Sequence, residues 1–207
     1  MSDGKKAQDY VMLPVDRLSF PKFKEKRYND SDVNKEKGKY EFNIIFPANV
    51  DLAPLKKMIQ AACKAKWGDK AKALWETGKI KNPMKSGATC VNDEGERYAG
   101  YEEDSQVVAV SFYNPMMFMD QFKNKIQSDS DQAQTTFYAG CHVMAAVTAA
   151  AYDNESKGIQ IRLYAMMRRA GGEPLSGSRV GNPEDVFADI SAEEATPVET
   201  NEESWED

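Results

Sequence analysis

Residues 136–169 read TFYAGCHVMAAVTAAAYDNESKGIQIRLYAMMRR. The second half of this stretch has a clear period. Ile159, Ile161, Leu163, Ala165 and Met167 alternate with Gln160, Arg162, Tyr164, Met166 and Arg168, as expected of a strand with one face on a core and the other in water. The six residues before it, DNESKG at 153–158, are turn formers. The first half, Thr136–Tyr152, reads two ways. Its alanines favour a helix, whereas Gly140, Val143, Val147 and Thr148 suit a long bent strand. A turn followed by a strand makes the pair a hairpin, and that decides for β structure.

Other strands are expected on either side. Tyr40, Phe42, Ile44 and Phe46 share one face of YEFNIIF, and Val108, Val110 and Phe112 share one face of QVVAVSFY, which Asn114-Pro115 ends. Residues 10–20 alternate imperfectly, with Pro14 implying an edge or bend. Between the two clear strands, Asp51 caps and Pro54 opens a helical stripe of Leu55, Met58, Ile59 and Ala62. A second short helix follows from Lys70 to Glu76, and Gly78 ends it. Residues 21–39 and 79–85 read as lysine-rich loops, and Met116–Ile126 as a short helix or turn. The sum is a mainly β chain: an OB-like five-stranded barrel with a helical insertion at about 51–78. The expected division is a domain over residues 1–178 and an acidic, disordered tail over 179–207.

The 207 residues carry a net charge of −6, but the sign is unevenly placed. Residues 17–85 hold 17 basic and 8 acidic side chains, whereas residues 173–207 hold 11 acidic and one basic. A basic half joined to an acidic end points to nucleic acid plus an interaction tail. The tail has few large apolar side chains, among them Phe187 and Trp205, too few to offset the chain entropy of folding.

Several chemistries are poorly supplied. The three cysteines, Cys63, Cys90 and Cys141, show no CxxC spacing, so reduced thiols in a cytoplasmic setting are expected. His142 is the one histidine. It adjoins Cys141, and neighbours on a strand point to opposite faces, which spoils a nucleophilic pair. No P-loop or dinucleotide fingerprint is present, and no cofactor is expected. MSDGKKAQDY has no apolar run of a signal peptide, and Gln132–Tyr152 is too weakly apolar for a spanning helix. The carboxylates Asp93, Glu94, Glu96, Glu102, Glu103 and Asp104 keep a metal-dependent nuclease as an alternative, which would require them to converge.

The best-supplied chemistry is that of single-stranded nucleic acid. Bases stack on aromatic rings while cations neutralise phosphates. FPKFKEKRY contributes Phe20, Lys22, Phe23, Lys24, Arg27 and Tyr28; KGKY contributes Lys37, Lys39 and Tyr40; the loop after the insertion contributes Lys79, Lys81 and Lys85; RLYAMMRR contributes Arg162, Tyr164, Arg168 and Arg169. For any single ring core packing is the plainer role; Phe42, Phe46 and Phe112 suit a core, and Phe23, Tyr28 and Tyr164 a surface.

The YAGC at 138–141, the Tyr-Asp-Asn turn, KGI at 157–159 and GEPLSG at 172–177 resemble a family of bacteriophage single-stranded DNA-binding proteins. KNPMKSG, QVVAVSFY and the acidic end match its layout over roughly residues 10–207. The resemblance implies a non-enzymatic OB-fold protein that coats single-stranded DNA during phage replication and recombination in the host cytoplasm. It also implies a tail that contacts polymerase or helicase, while the tail's charge itself suits an arm that competes with DNA for the basic groove and so modulates DNA access. Phe187, Trp205, Glu206 and Asp207 are the tail residues expected to dock, although this chain ends in acids after Trp205. A homodimer is compatible with this reading. A protein-only recombination scaffold is the other alternative.

Overall fold

The computed structural model describes residues 10–28 and 38–175. Its strands are β1 (Val11–Met12), β2 (Asp16–Arg27), β3 (Lys39–Phe46), β4 (Ile80–Lys81), β5 (Met84–Ser86), β6 (Gln106–Phe112), β7 (Met117–Met119), β8 (Lys125–Gln127), β9 (His142–Asp153) and β10 (Lys157–Ala170). The helices are α1 (Ala53–Trp67), α2 (Ala71–Glu76) and α3 (Asp131–Thr136).

Five of the strands close on themselves. β9 pairs with β2, β2 with β3, β3 with β6, β6 with β10, and β10 returns to β9. Every pairing in the ring is antiparallel except β6–β10. A ring of this order with one parallel seam is the oligonucleotide-binding barrel. Its interior is filled from alternate positions: Leu18, Phe42, Ile44, Val110, Val143 and Ile161 are all at most 1% exposed. Each contributes about 1.5–3 kcal/mol of burial.

The alanine-rich run is strand β9, as its hairpin partner demands. It pairs with β10 along its length and with β1 and β2 on its other edge. Helix α1 packs against β9, β1 and β10, and Ala149 and Ala151 of β9 pack, partly buried, against the core. Trp67 Nε1 donates to Asp153 Oδ2 at 3.0 Å and ties the helical insertion to the β9–β10 hairpin.

Three expectations are corrected. Residues 21–27, read as loop, continue β2, because the lysines alternate with Phe23, which is 1% exposed. Residues 80–81 and 84–86 are short strands, each added to an existing edge of the sheet. Met116–Ile126 is a hairpin, β7–β8, with Phe118 and Ile126 buried. Its turn is held by Asp120, whose Oδ1 accepts from the backbone N–H groups of Phe122 and Asn124, each at 2.8 Å.

Candidate nucleic-acid interface

β2 does not alternate evenly. Ser19 pairs with Asn43 and Lys22 with Glu41, so Phe20 and Pro21 together face the single residue Phe42. This is a β-bulge, a device that re-aims side chains. Without it Phe20 would follow Leu18 into the core and Phe23 would face water. With it Phe23 turns inward, and Phe20 is thrown out at φ 46°, 43% exposed. A bulky residue in the left-handed region is strained and marks sites where direction matters.

Phe20 opens a groove of about 500 Å³ over the outer face of β2, β3 and β6, walled on one side by residues of the 89–101 loop. In this fold the face of the second and third barrel strands is where oligonucleotides lie. Three rings gather here. Phe20 meets Tyr98 edge to face with centroids 4.8 Å apart, and Tyr101 lies 6.0 Å from Tyr98 and 6.2 Å from Phe20. Phe20 and Tyr98 are exposed, while Tyr101 is buried behind them. The Tyr101 hydroxyl donates to Ser19 Oγ at 2.9 Å and accepts from Asn43 Nδ2 at 3.2 Å. Burial pushes the Tyr101 phenol above its ordinary pKa, so it stays a neutral donor.

Cations border the rings. Lys22, Arg27 and Lys85 line the groove. Glu41 sits between Arg27, at 3.4 Å, and Lys39, at 2.9 Å. The strand register sets Lys22, Glu41, Ser111 and Arg162 in one lateral row across β2, β3, β6 and β10, roughly 14 Å from end to end at the usual strand spacing. Arg162 ends the row with its guanidinium 5.8 Å from the Tyr113 ring centroid.

The structure brings Lys22, Arg27, Lys39, Lys85 and Arg162 onto this surface and disperses the other expected residues that it describes. Phe23 is a core ring, packed on Phe42, Phe118 and Phe137, which corrects its reading as a surface platform. Lys24 is ion-paired with Asp131 at the base of α3, at 2.8 Å. Tyr28 is exposed beside Gly38. Lys79 and Lys81 lie at β4, which pairs with β10 at Lys157 and Gly158, the hairpin end of the barrel. Tyr164 is exposed, but its ring stacks at 5.1 Å on Tyr10, which enters by β1 across β9. A register shift after Leu163 changes the parity of β10, so Met166 is buried and Ala165 exposed. Arg168 is thereby drawn in against Tyr138, with its Nε buried and unpaired. Lys37, Phe187, Trp205, Glu206 and Asp207 lie outside the described residues, as does the whole expected tail.

The sequence reading counted Phe20 among the interleaved rings without placing it in the site, and it missed Tyr98 and Tyr101. A usable signal was the aromatic pair in YAGY, residues 98–101, inside an otherwise polar loop. The carboxylate site of the alternative reading does not assemble: among the described residues no three His, Cys, Asp or Glu side chains gather as a metal site. Among the same residues no helix is long and apolar enough to cross a membrane.

The YAGC and GEPL stretches, far apart in sequence, clasp each other. Tyr138 Oη donates to the Gly172 carbonyl at 2.8 Å and accepts from its N–H at 3.0 Å. Gly140 adopts φ 110°, and a Cβ there would stand 2.0 Å from the Glu173 carbonyl oxygen. Leu175 N–H donates to the Ala139 carbonyl at 2.9 Å. The clasp delivers Leu175 to a small apolar cluster of Ile45, Tyr101 and Val107 behind the groove.

Over residues 10–197 the sequence matches the family described as Enterobacter phage Enc34, ssDNA-binding protein. The chain belongs to this family. Among its relatives is putative protein p50 of Acyrthosiphon pisum secondary endosymbiont phage 1, 26% identical over 182 residues, covering 86% of this chain and 92% of that one. The single-stranded DNA-binding protein from bacteriophage Enc34, solved in complex with ssDNA, superposes with a TM-score of 0.61 at 18% identity, over 81% of this chain and 89% of the other. Gp2.5, a single-stranded DNA-binding protein encoded by bacteriophage T7, superposes with a TM-score of 0.50 at 10% identity, over 86% of this chain and 100% of its own. At these identities the two structural likenesses show a shared fold.

Proposed function

We propose that this protein binds and coats single-stranded DNA without strong sequence preference, with bases on the Phe20–Tyr98 platform and phosphates on Lys22, Arg27, Lys85 and Arg162. The observation that carries this reading is the ring cluster on the outer face of β2, β3 and β6, flanked by cations. Rings stack on any base, and cations accept any phosphate, so affinity arises without readout of base edges. Membership of the Enc34 family supports the same reading. The protein performs no catalysis in it. It acts during phage DNA replication and recombination, in the host cytoplasm.

The acidic tail has two roles in this proposal. Its ten acids after Arg179 compete electrostatically with DNA for the basic face, and Phe187, Trp205, Glu206 and Asp207 recruit replication proteins such as polymerase or helicase. The clasp supports the first role, because it anchors Leu175, shortly before the acidic run, beside the groove ring Tyr101.

The test is a titration of oligo-dT at several salt concentrations, followed by tryptophan fluorescence. If Z phosphates are engaged, log affinity falls against log salt with a slope of about −0.7Z. A flat salt response, or no binding at low salt, removes the proposal.

A further inference from the structure

We infer that Glu41 is an intramolecular stand-in for a DNA phosphate, a carboxylate built into the binding face that the incoming strand must displace. The inference rests on the proposed function and adds a residue that opposes it. Glu41 points outward from β3 at the centre of the lateral row, with Lys22 paired opposite it on β2. Its two oxygens are divided between two cations: Oε1 lies 2.9 Å from Lys39 Nζ and Oε2 lies 3.4 Å from Arg27 Nη1. The side chain is 26% exposed, so it is neither a core residue nor a freely solvated one.

A phosphodiester offers the same chemistry, two anionic oxygens on one centre. Arg27 and Lys39 can serve that group fully only after giving up Glu41. The carboxylate cannot depart, because it is tethered to the barrel, and it stays within a Debye length of any phosphate lying on the row, about 8 Å at physiological salt. It therefore subtracts about one charge from the neutralising capacity of the face. The result is a coat that releases DNA more readily than its lysines and arginines would otherwise allow. A protein that covers a template must be displaced from it, which gives a weakening residue a use.

The alternative is that Glu41 merely holds Arg27 and Lys39 in place for the DNA. The two roles predict opposite signs. With Glu41→Gln in the full-length protein, oligo-dT binding is expected to tighten roughly fivefold at low salt, the scale of one partly exposed charge contact. Its salt slope is expected to steepen by about 0.7, one further phosphate neutralised. Glu41→Asp, which keeps the charge, is expected to stay close to the parent. Equal or weaker binding by Glu41→Gln at an unchanged melting temperature overturns the inference. Should that variant melt early, Glu41→Thr, a better strand former, is read in the same way. If the parent itself fails to bind oligo-dT, the proposed function falls. If the parent binds and neither neutral variant gains, only the role of Glu41 is lost.

Discussion

The rings of Phe20 and Tyr98 meet edge to face at 4.8 Å, although one leaves a strand bulge and the other a loop nearly eighty residues later. Neither ring is needed by the core, since both are exposed. Keeping Phe20 there requires a left-handed backbone at a bulky residue, a strain of about 1–3 kcal/mol that packing elsewhere must offset. The proposed binding of bases gives that strain a reason.

Phe20→Ala and Tyr98→Ala should each weaken oligo-dT binding by about 1–3 kcal/mol, the measured scale for a stacked base. Tyr164→Ala should have a smaller effect, because its ring is already stacked on Tyr10. Equilibrium titrations of the three variants at one salt concentration check this ranking. Equal losses at all three would move the site away from the groove.

Much of the barrel was legible in the sequence because its inward residues keep period 2 over long runs, as in Tyr40–Phe46 and Gln106–Phe112. The site was far less legible. Two register shifts, after Ser19 and after Leu163, reverse which residues face the core. Alternation carried through the second placed Met166 opposite the core, and beyond the first the lysine-rich run read as a loop with Phe23 on the surface, when both side chains are buried. A bulge leaves no mark in composition; only the paired strand exposes it. Tyr98 and Tyr101 stand in a loop without period, brought to the barrel by contacts such as Leu175 against Gly100.

The clasp between the two motif stretches should behave as a structural lock. Gly140→Ala should cost about 3 kcal/mol or more, since it combines a strained φ of 110° with a Cβ 2.0 Å from the Glu173 oxygen. Tyr138→Phe removes one hydroxyl that both donates to and accepts from Gly172, and should cost about 1 kcal/mol. Urea unfolding curves measure both. A Gly140→Ala protein as stable as the parent would show that the clasp can open without loss.

Deleting residues 181–207 removes ten acids and no base. The truncated protein should bind oligo-dT more tightly, and the difference should shrink as salt screens the tail, over a Debye length that falls to about 3 Å at 1 M. Weaker binding by a truncated protein of unchanged melting temperature would contradict competition by the tail.

The cysteines give a test that needs no substitution in the groove. Burial pushes the Cys141 thiol up to about 12 and raises that of Cys63, so in the folded protein both should resist alkylation near pH 8. Cys90 is partly exposed and lines the groove beside Tyr98 and Tyr101. Maleimide should therefore label Cys90 first, and saturating oligo-dT should slow that labelling, as read by mass spectrometry. Unchanged labelling under conditions where DNA is bound would place the strand elsewhere.

The same raised thiol sets a pH dependence. Cys141 stays neutral in the folded state up to about 12, whereas in the unfolded chain it ionises from near its ordinary value of 9. Its contribution is thus fully present below pH 9 and is lost as pH rises from there toward 12, because ionisation then favours the unfolded chain. Cys63, Tyr40 and Tyr101 are raised in the same direction and add to the loss. Urea midpoints measured between pH 8 and pH 10.5 should fall, and should fall less in Cys141→Ala. An equal decline in parent and variant would show that the Cys141 thiol is not the group responsible.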